Sequence, residues 1–322
     1  AIYDMILWWM DKGVGGFRLD VIDQIAKEPD KRITINGPRL QEYFKELSRE
    51  TFQKGDLITV GEAWGADTER AKLYSNPDGS EFSMVFQFEH IGLDQIPGKA
   101  KWDLAPLQLS ALKEVLTKWQ VGLHGKGWNS LFWNNHDLSR IVSRWGDDST
   151  KETRKASAKA LALLLHMHRG TPYIYEGEEL GMTNAHFTEL DQYRDLESLN
   201  AYRQRVIETG VQDSESMMHG IAERSRDNAR TPMQWDDTAN HGFSTAAADA
   251  LYLPVDTADD APTVEAQQAD PNSLLHAVKS LLAFRHAHRD LDSDASFKVL
   301  YAPKAKGDYR PFAWQRGKLT CA

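Results

Sequence analysis

Apolar residues recur along the chain in two alternating patterns. Residues 2–10 repeat apolar side chains every three to four positions, which predicts an amphipathic helix that stops at Gly13. The same pattern predicts further helices at 40–51, 107–119, 156–168 and 274–288. Short apolar runs that are typical of buried strands lie between them, at 14–20, 57–60, 83–88, 131–133 and 171–175. This alternation predicts βα units and a mostly parallel sheet.

Three of the predicted strands end in a carboxylate, at Asp20, Glu62 and Asp137. Functional groups at the C-terminal ends of successive parallel strands are characteristic of catalytic (β/α)8 barrels. Five predicted strands cannot close a barrel of eight. We therefore predict an α/β fold that forms part of a (β/α)8 TIM barrel.

The second half of the chain departs from this pattern. Residues 183–269 are polar and rich in Asp, and we predict a long loop excursion from the barrel rim. From residue 297 short alternating runs predict the start of a separate β domain, which gives domain boundaries of 1–295 and 296–322. Because the chain opens inside a helix without an initiator Met, we expect a fragment of a longer protein.

Composition narrows the possible classes of function. The 38 Lys and Arg against 47 Asp and Glu give a net charge of −9, which argues against nucleic acid or an anionic membrane as a partner. The longest apolar run, near 160–165, is too short to span a bilayer. The single cysteine, Cys321, excludes a disulfide framework and fits a reducing compartment, so we predict a cytoplasmic protein.

Two of the strand-end carboxylates have the placement that glycoside hydrolysis requires. One carboxylate attacks the anomeric carbon and another protonates the leaving oxygen, and the two lie about 5–5.5 Å apart when configuration is retained. Asp20 and Glu62 are one βα unit apart. Arg18 lies on the same side of its strand as Asp20, where it can keep that carboxylate ionised.

The segments around these carboxylates resemble those of one family. GFRLD, GEAW and NNHD are similar to the segments at strands four, five and seven of the alpha-amylase family, glycoside hydrolase family 13. The resemblance implies that Asp20 is the nucleophile, Glu62 the acid/base and Asp137 a third carboxylate that grips sugar hydroxyls. It also implies that the chain begins just before strand four, supplies strands four to eight, and continues into a C-terminal β-sandwich.

Further segments resemble the oligo-1,6-glucosidase and dextran glucosidase branch of that family. These are GTPYIYEGEELGMTN, YRDLESLN and SRDNARTPMQWDD. They imply a retaining, exo-acting α-glucosidase that cleaves α-1,6 bonds of isomalto-oligosaccharides from the non-reducing end. Besides Arg18, the implied substrate contacts are His136 and Arg230 on the glucose side, and Val21, Trp64, Lys101 and Glu197 on the leaving-group side.

Several alternatives remain. An α-1,4-glucosidase and a trehalose-6-phosphate hydrolase are rivals within the family, although a Val at position 21 resembles the α-1,6-acting members, whereas Ala or Thr marks those that prefer α-1,4 bonds. A sucrose isomerase is expected to carry an arginine-rich loop after NNHD, which residues 138–140 do not match. A non-enzymatic heavy subunit of amino-acid transporters shares the fold but is expected to lack the three carboxylates.

We expect no cofactor and no metal ligand in this chain, and an oligosaccharide as its partner. The sequence contains no Gly-rich phosphate loop, zinc spacing or dinucleotide fingerprint. A calcium-type site of many relatives lies in the first loop, which the resemblance places outside this chain together with strands one to three. A fragment without those strands can be inactive on its own.

Overall fold

The computed structural model describes residues 1–256, 258, 260–291, 295–301 and 311–322. Parts of two predicted segments lie outside the described residues. These are 257 and 259 of the predicted excursion, 292–294 next to the predicted domain boundary, and 302–310 of the predicted β domain.

Five parallel strands follow one another in chain order. They are β1 (Gly16–Leu19), β2 (Ile58–Ala63), β3 (Met84–Gln87), β4 (Ser130–Leu131) and β5 (Thr171–Pro172). β2 lies between β1 and β3, and β4 pairs with β5. A parallel bridge between Val85 and Asn129 connects the two groups. The five predicted strands are therefore present; β2 is longer than predicted and the other four are shorter.

Helices alternate with these strands. They are α1 (Ile2–Asp11), α2 (Leu40–Glu50), α3 (Thr68–Tyr74), α4 (Leu109–Leu123), α5 (Ile141–Trp145) and α6 (Lys151–His166). The apolar pattern predicts α1, α2, α4 and α6, but not the short helices α3 and α5. α6 begins earlier than the predicted 156 because the Thr150 side chain caps it by accepting a hydrogen bond from the backbone N–H of Thr153. Its charged first turn has no apolar pattern that could reveal this start.

The structure corrects the prediction of a loop at 183–269. This segment contains α7 (Leu196–Tyr202), extended by a wider helical turn at Arg203–Glu208, as well as α8 (Ser214–Arg224) and α9 (Val264–Ala269). Asp195, Asp213 and Thr263 cap these helices with their side chains. Some of the Asp residues that suggest a loop are thus helix caps, a position that Asp favours.

The chain ends in a small antiparallel sheet. After α10 (Leu274–Ala287), the strands β6 (Phe297–Tyr301), β7 (Ala313–Arg316) and β8 (Leu319–Cys321) pair in that order. Trp314 of β7 packs with Met167, Leu291 and Phe312. The sheet is therefore joined to the end of α6 by buried apolar contacts.

Candidate active site

The parallel strands bring the three predicted carboxylates to one edge of the sheet. Asp20 directly follows β1, and Glu62 is the next-to-last residue of β2. Asp137 lies in the segment that follows β4. The turn after Asp20 packs tightly on β2, because a Cβ added at Gly61 would meet the fully buried Ile22 at 2.3 Å. A glycine beside Glu62 thus allows the two strand ends to approach closely.

Arg18 joins the two carboxylates of the predicted pair. Its Nη1 donates to Oδ1 of Asp20 at 2.6 Å, and its Nη2 contacts Oε2 of Glu62. The Glu62 side chain is 5% exposed, whereas that of Asp20 is 69% exposed. One guanidinium therefore holds a buried carboxyl group and an exposed one together.

The pKa values of these two carboxyl groups are shifted in opposite directions. Burial raises the pKa of Glu62, and its hydrogen bond with Asp20 raises it further, although Trp64 and Arg18 act in the opposite direction. The same hydrogen bond lowers the pKa of Asp20 with the help of Arg18, against a smaller effect of burial. These shifts favour the protonated form of Glu62 and the ionised form of Asp20.

Trp64 contacts Glu62 from the other side. Its indole Nε1 donates to Oε1 of Glu62 at 2.6 Å. Its ring stacks on Phe88, which follows β3, with the ring centres 3.8 Å apart and the planes at 11°. Trp64 remains 45% exposed, so it offers a flat apolar surface next to the carboxyl group.

Asp137 is oriented by its neighbours in chain and space. Arg230 donates through Nη2 to Oδ1 of Asp137 at 2.7 Å and through Nε to the backbone carbonyl of His136 at 2.8 Å. His136 Nε2 lies 3.2 Å from Oδ2 of Asp137. The Tyr175 hydroxyl donates to the carbonyl of Ala229 at 2.9 Å and so fixes the residue before Arg230.

Val21 adopts an unusual backbone conformation immediately after Asp20. Its φ of 38° and ψ of 48° lie in the left-handed region, which a β-branched residue rarely occupies. Such strain persists only where the surroundings enforce it. The chain therefore turns sharply at the end of β1 and leaves the Asp20 carboxylate exposed.

A cleft of about 700 Å³ opens beside Trp64 and Asp137. Four predicted site residues line it, namely Trp64, Lys101, Asp137 and Glu197. The other predicted residues are not among those that line it: Arg18, Asp20, Val21, Glu62, His136 and Arg230. Lys101 and Glu197 form an ion pair across the cleft wall, with Nζ 2.5 Å from Oε2. Lys101 also lies over the ring of Trp102, 4.5 Å from its centre.

Each cationic side chain among the described residues that line the cleft is paired with a carboxylate. These pairs are Lys101 with Glu197, Lys118 with Glu89, Arg144 and Arg224 with Asp94, and Arg226 with Asp195. Asp94 also accepts from the indole of Trp145 at 2.7 Å. Neighbouring carboxylates thus largely neutralise the positive charges of the cleft wall.

Sequence reasoning missed several of these residues. Phe88 lies in an apolar run that predicts only a strand. Arg226 and Asp195 belong to the segments SRDNAR and YRDLESLN, but only the distance between them in space reveals their ion pair. Within the described part of the chain, no group of three or more His, Cys, Asp or Glu side chains could hold a metal ion. None of the described helices has the length and apolar character to cross a membrane.

Two carboxyl groups with opposite pKa shifts at adjacent ends of parallel strands are typical of glycoside hydrolases built on α/β folds. Residues 1–294 match the catalytic domain of the alpha-amylase family, and the chain belongs to that family. This confirms the family resemblance found in the sequence.

Individual relatives come from several bacteria. The chain is 52% identical over 286 residues to glucan 1,6-alpha-glucosidase of Streptococcus pneumoniae, which covers 88% of the chain and 52% of that protein. It is 47% identical over 302 residues to oligo-1,6-glucosidase of Parageobacillus thermoglucosidasius, with 89% and 52% covered. The crystal structure of trehalose-6-phosphate hydrolase from Bacillus licheniformis superposes with a TM-score of 0.87 at 39% identity, covering 97% of this chain and 56% of that one. The chain spans about half the length of these relatives.

Proposed function

We propose that the protein is a retaining, exo-acting α-glucosidase that hydrolyses α-1,6-glucosidic bonds of isomalto-oligosaccharides from the non-reducing end. The observation that carries this proposal is the pair of Asp20 and Glu62, an exposed and a buried carboxyl group that contact the same Arg18 guanidinium and whose pKa values are shifted down and up, respectively. The names of the relatives at 52% and 47% identity support the choice of linkage.

In the first step, the Asp20 carboxylate attacks the anomeric carbon of the terminal glucose. Glu62 gives its proton to the glycosidic oxygen, so that the leaving sugar departs neutral and a glycosyl-enzyme ester forms at Asp20. Burial raises the pKa of Glu62 and so favours its protonated form, whereas Glu62 and the Arg18 guanidinium lower the pKa of Asp20 and favour its charged form. The two groups therefore start the reaction in the states that it needs.

In the second step, the Glu62 carboxylate accepts a proton from water, and the oxygen of that water attacks the anomeric carbon. The ester to Asp20 breaks, α-glucose is released, and Glu62 regains its proton. Two inversions give net retention. This sequence uses two carboxyl groups and water and requires no cofactor.

The remaining site residues bind the two sugars. Asp137, oriented by Arg230 and His136, accepts hydrogen bonds from hydroxyls of the terminal glucose, and Arg230 closes that end of the site. Trp64 offers a stacking surface to the leaving sugar, and Val21, Lys101 and Glu197 lie on that side. Asp137 and Trp64 both border the cleft, which supports placing the bond to be cleaved between them.

The alternative of a trehalose-6-phosphate hydrolase is less well supported by the charges of the cleft. A phosphorylated leaving sugar needs cations that can pair with its phosphate. Among the described residues that line the cleft, Lys101, Lys118 and Arg226 already pair with Glu197, Glu89 and Asp195 at 2.5, 2.8 and 2.6 Å. A neutral leaving sugar is therefore the better fit. For an α-1,4-glucosidase we find no specific support beyond the family.

Hydrolysis by the full-length protein tests the proposal. We expect the highest kcat/KM for isomaltose, a lower value for maltose and little turnover of trehalose-6-phosphate. Proton NMR of the first product should show α-glucose before mutarotation. Initial release of β-glucose, or a preference for trehalose-6-phosphate, would overturn the proposal.

The finer description of the fold belongs to the same proposal. We take β1 to β5 as strands four to eight of an eight-stranded barrel, and β6 to β8 as the start of a β-sandwich domain at 296–322. Pairing of the five strands in chain order supports this view. An oligosaccharide as partner and a cytoplasmic location, suggested by the single cysteine, remain predictions.

A further inference from the structure

Arg226 occupies a central position between the two sides of the cleft. It lies in the short helical turn Arg226–Ala229 that follows α8. Its Nη2 is 2.6 Å from Oδ1 of Asp195, its Nη1 is 3.4 Å from Oδ1 of Asp137, and its Nε is 3.5 Å from Oε2 of Glu197. One guanidinium thus reaches three carboxylates, one that follows β4 and two at the start of α7.

Asp195 anchors this arrangement. Its side chain is completely buried, and besides Arg226 it accepts hydrogen bonds from the hydroxyl of Ser198 and the backbone N–H of Glu197. Burial alone would raise the pKa of Asp195, but the bonds from Arg226 and Ser198 lower it, so the carboxylate stays ionised. Asp195 is the cap of α7, and it therefore fixes the helix turn from which Glu197 enters the cleft.

The turn that contains Arg226 and the start of α7 are also joined by hydrogen bonds in which the turn supplies the carboxylate. Asp227, the neighbour of Arg226, accepts hydrogen bonds from the backbone N–H groups of Arg194 and Asp195 at 2.7 and 2.8 Å. Asp137, by contrast, has a second and shorter ion pair with Arg230 at 2.7 Å. Each side thus keeps a contact of its own when Arg226 is lost, and what disappears is the direct link between Asp137 and the start of α7.

We propose that Arg226 is a positioning residue that sets the place of Glu197, through Asp195, relative to Asp137. In this role it fixes the distance between the groups that contact the leaving sugar and those that contact the glucose. It touches no reacting atom itself. The inference rests on the proposed function, because it takes Asp137 and Glu197 as groups that contact the two sugars. It adds a residue that contributes to binding of the leaving sugar.

The test compares two substrates in the full-length protein and its Arg226→Gln and Arg226→Lys variants. Isomaltose has sugar hydroxyls on the leaving side, whereas p-nitrophenyl α-glucoside has none. We expect Arg226→Gln to raise KM for isomaltose by about tenfold or more, with a smaller change in kcat. For the nitrophenyl substrate the change should stay within about threefold. Arg226→Lys should restore part of the loss, because an ammonium keeps the charge but cannot span three carboxylates.

A double-mutant cycle shows whether Arg226 acts through Glu197. The loss for isomaltose in Arg226→Gln/Glu197→Gln should be close to the larger single loss, since both changes remove the same positioned group. Arg154→Gln is the matched control, because Arg154 pairs with Asp260 at 3.0 Å and does not line the cleft. Its kinetic constants should equal those of the wild type.

The outcomes separate this inference from the proposed function. Wild-type protein that fails to cleave isomaltose overturns the proposed function and this inference with it. An active wild type whose Arg226→Gln variant is unchanged, loses both substrates equally, or adds fully to Glu197→Gln overturns the inference alone. If Arg226→Gln does not fold, as judged by circular dichroism, the comparison of the two substrates in Arg226→Lys decides the question, with a KM effect confined to isomaltose as support.

Discussion

Glu62 and Asp20 contact the same guanidinium, that of Arg18, yet the pKa of Glu62 is raised and the pKa of Asp20 is lowered. The two side chains differ in exposure, at 5% and 69%, while one arginine contacts both. The difference in environment therefore assigns the acid role to one group and the nucleophile role to the other, although both are carboxyl groups.

The first prediction separates these two roles. Asp20→Asn should lower kcat for every substrate by roughly 10³-fold or more, about 4 kcal/mol of barrier, because no ester can form. Glu62→Gln should lower turnover of isomaltose similarly. It should spare glycosyl-enzyme formation from substrates with activated leaving groups, which need no proton. The measurement is a pre-steady-state burst with 2,4-dinitrophenyl α-glucoside.

Near-normal hydrolysis of isomaltose by Glu62→Gln would refute the role of acid. A burst of full amplitude in Asp20→Asn would likewise show that another group is the nucleophile. Asp67→Asn serves as the control, since Asp67 lines the cleft but caps α3 and pairs with Arg70.

The second prediction concerns the dependence of activity on pH. Activity requires ionised Asp20, whose pKa is lowered, and protonated Glu62, whose pKa is raised, so kcat/KM should rise and then fall with increasing pH. The two apparent pKa values belong to the coupled pair. Trp64→Phe removes a hydrogen bond that stabilises the ionised form of Glu62, so the decrease should move to higher pH.

Trp128→Phe is the matched control for this experiment. Its indole donates to the hydroxyl of Thr171 at 2.8 Å and contacts no site carboxylate. The pH profile of this variant should coincide with that of the wild type. A decrease that moves to lower pH in Trp64→Phe contradicts the proposed electrostatics of Glu62.

The third prediction concerns stability of the cleft wall. Asp94 is buried between Arg144 and Arg224 at 2.6 and 2.8 Å. Asp94→Ala leaves two buried guanidinium groups without their shared partner, which should lower the free energy of unfolding by about 3–5 kcal/mol. Urea denaturation measures this, and Glu42→Ala, which breaks an exposed pair with Arg39, should change little. Equal losses in the two variants would contradict the assigned importance of the buried cluster.

The alternation of elements and the strand-end carboxylates were predictable from sequence because both depend on local patterns. Apolar periodicity marks β1 to β5 and most helices, and the segments around Asp20, Glu62 and Asp137 identify the family. The helices at 183–269 were not predictable in this way. Asp is common in loops as well as at helix caps. Only the backbone hydrogen bonds therefore distinguish these capped helices from a loop.

Contacts between residues that are distant in the chain also could not be predicted from the sequence. Arg18 has its role because β1 and β2 pair in a register that brings Glu62 next to it. Phe88 becomes important only by stacking on Trp64, and Arg226 only by reaching Asp137, Asp195 and Glu197. Such contacts depend on tertiary packing, which no pattern along the chain encodes by itself.

The fourth prediction tests how the cleft excludes phosphate. Glu89 neutralises Lys118 at 2.8 Å and accepts a hydrogen bond from the indole of Trp119 at 2.8 Å. Glu89→Gln keeps the shape but leaves Lys118 without its carboxylate. Inhibition by glucose-6-phosphate should strengthen by up to about fivefold at low salt and return to the wild-type value at high salt, while inhibition by glucose stays constant.

The control variant is Glu69→Gln, which unpairs Lys72 away from the cleft. It should leave inhibition by both compounds unchanged. If wild-type protein already binds glucose-6-phosphate more tightly than glucose, the paired cations do not exclude phosphate, and the alternative of a trehalose-6-phosphate hydrolase gains support.

The last prediction concerns the linkage and depends on Val21. This side chain follows the nucleophile in a strained left-handed conformation, so the turn fixes its position relative to Asp20. Its two methyl groups can act on a leaving sugar only through bulk and apolar contact. An α-1,6 link contains an additional rotatable bond, so its leaving sugar follows a different path from that of an α-1,4 link.

Methyl-sized contacts discriminate by roughly 1–3 kcal/mol, so we expect a preference for isomaltose over maltose of about tenfold or more in kcat/KM. Val21→Ala should reduce this preference mainly by increasing activity on maltose, because it removes an obstacle and no catalytic group. Val121→Ala, on the exposed face of α4, should leave the ratio unchanged. If Val21→Ala lowers both rates equally, Val21 only maintains the turn after Asp20. If the wild type prefers maltose, the assignment of α-1,6 specificity must be abandoned.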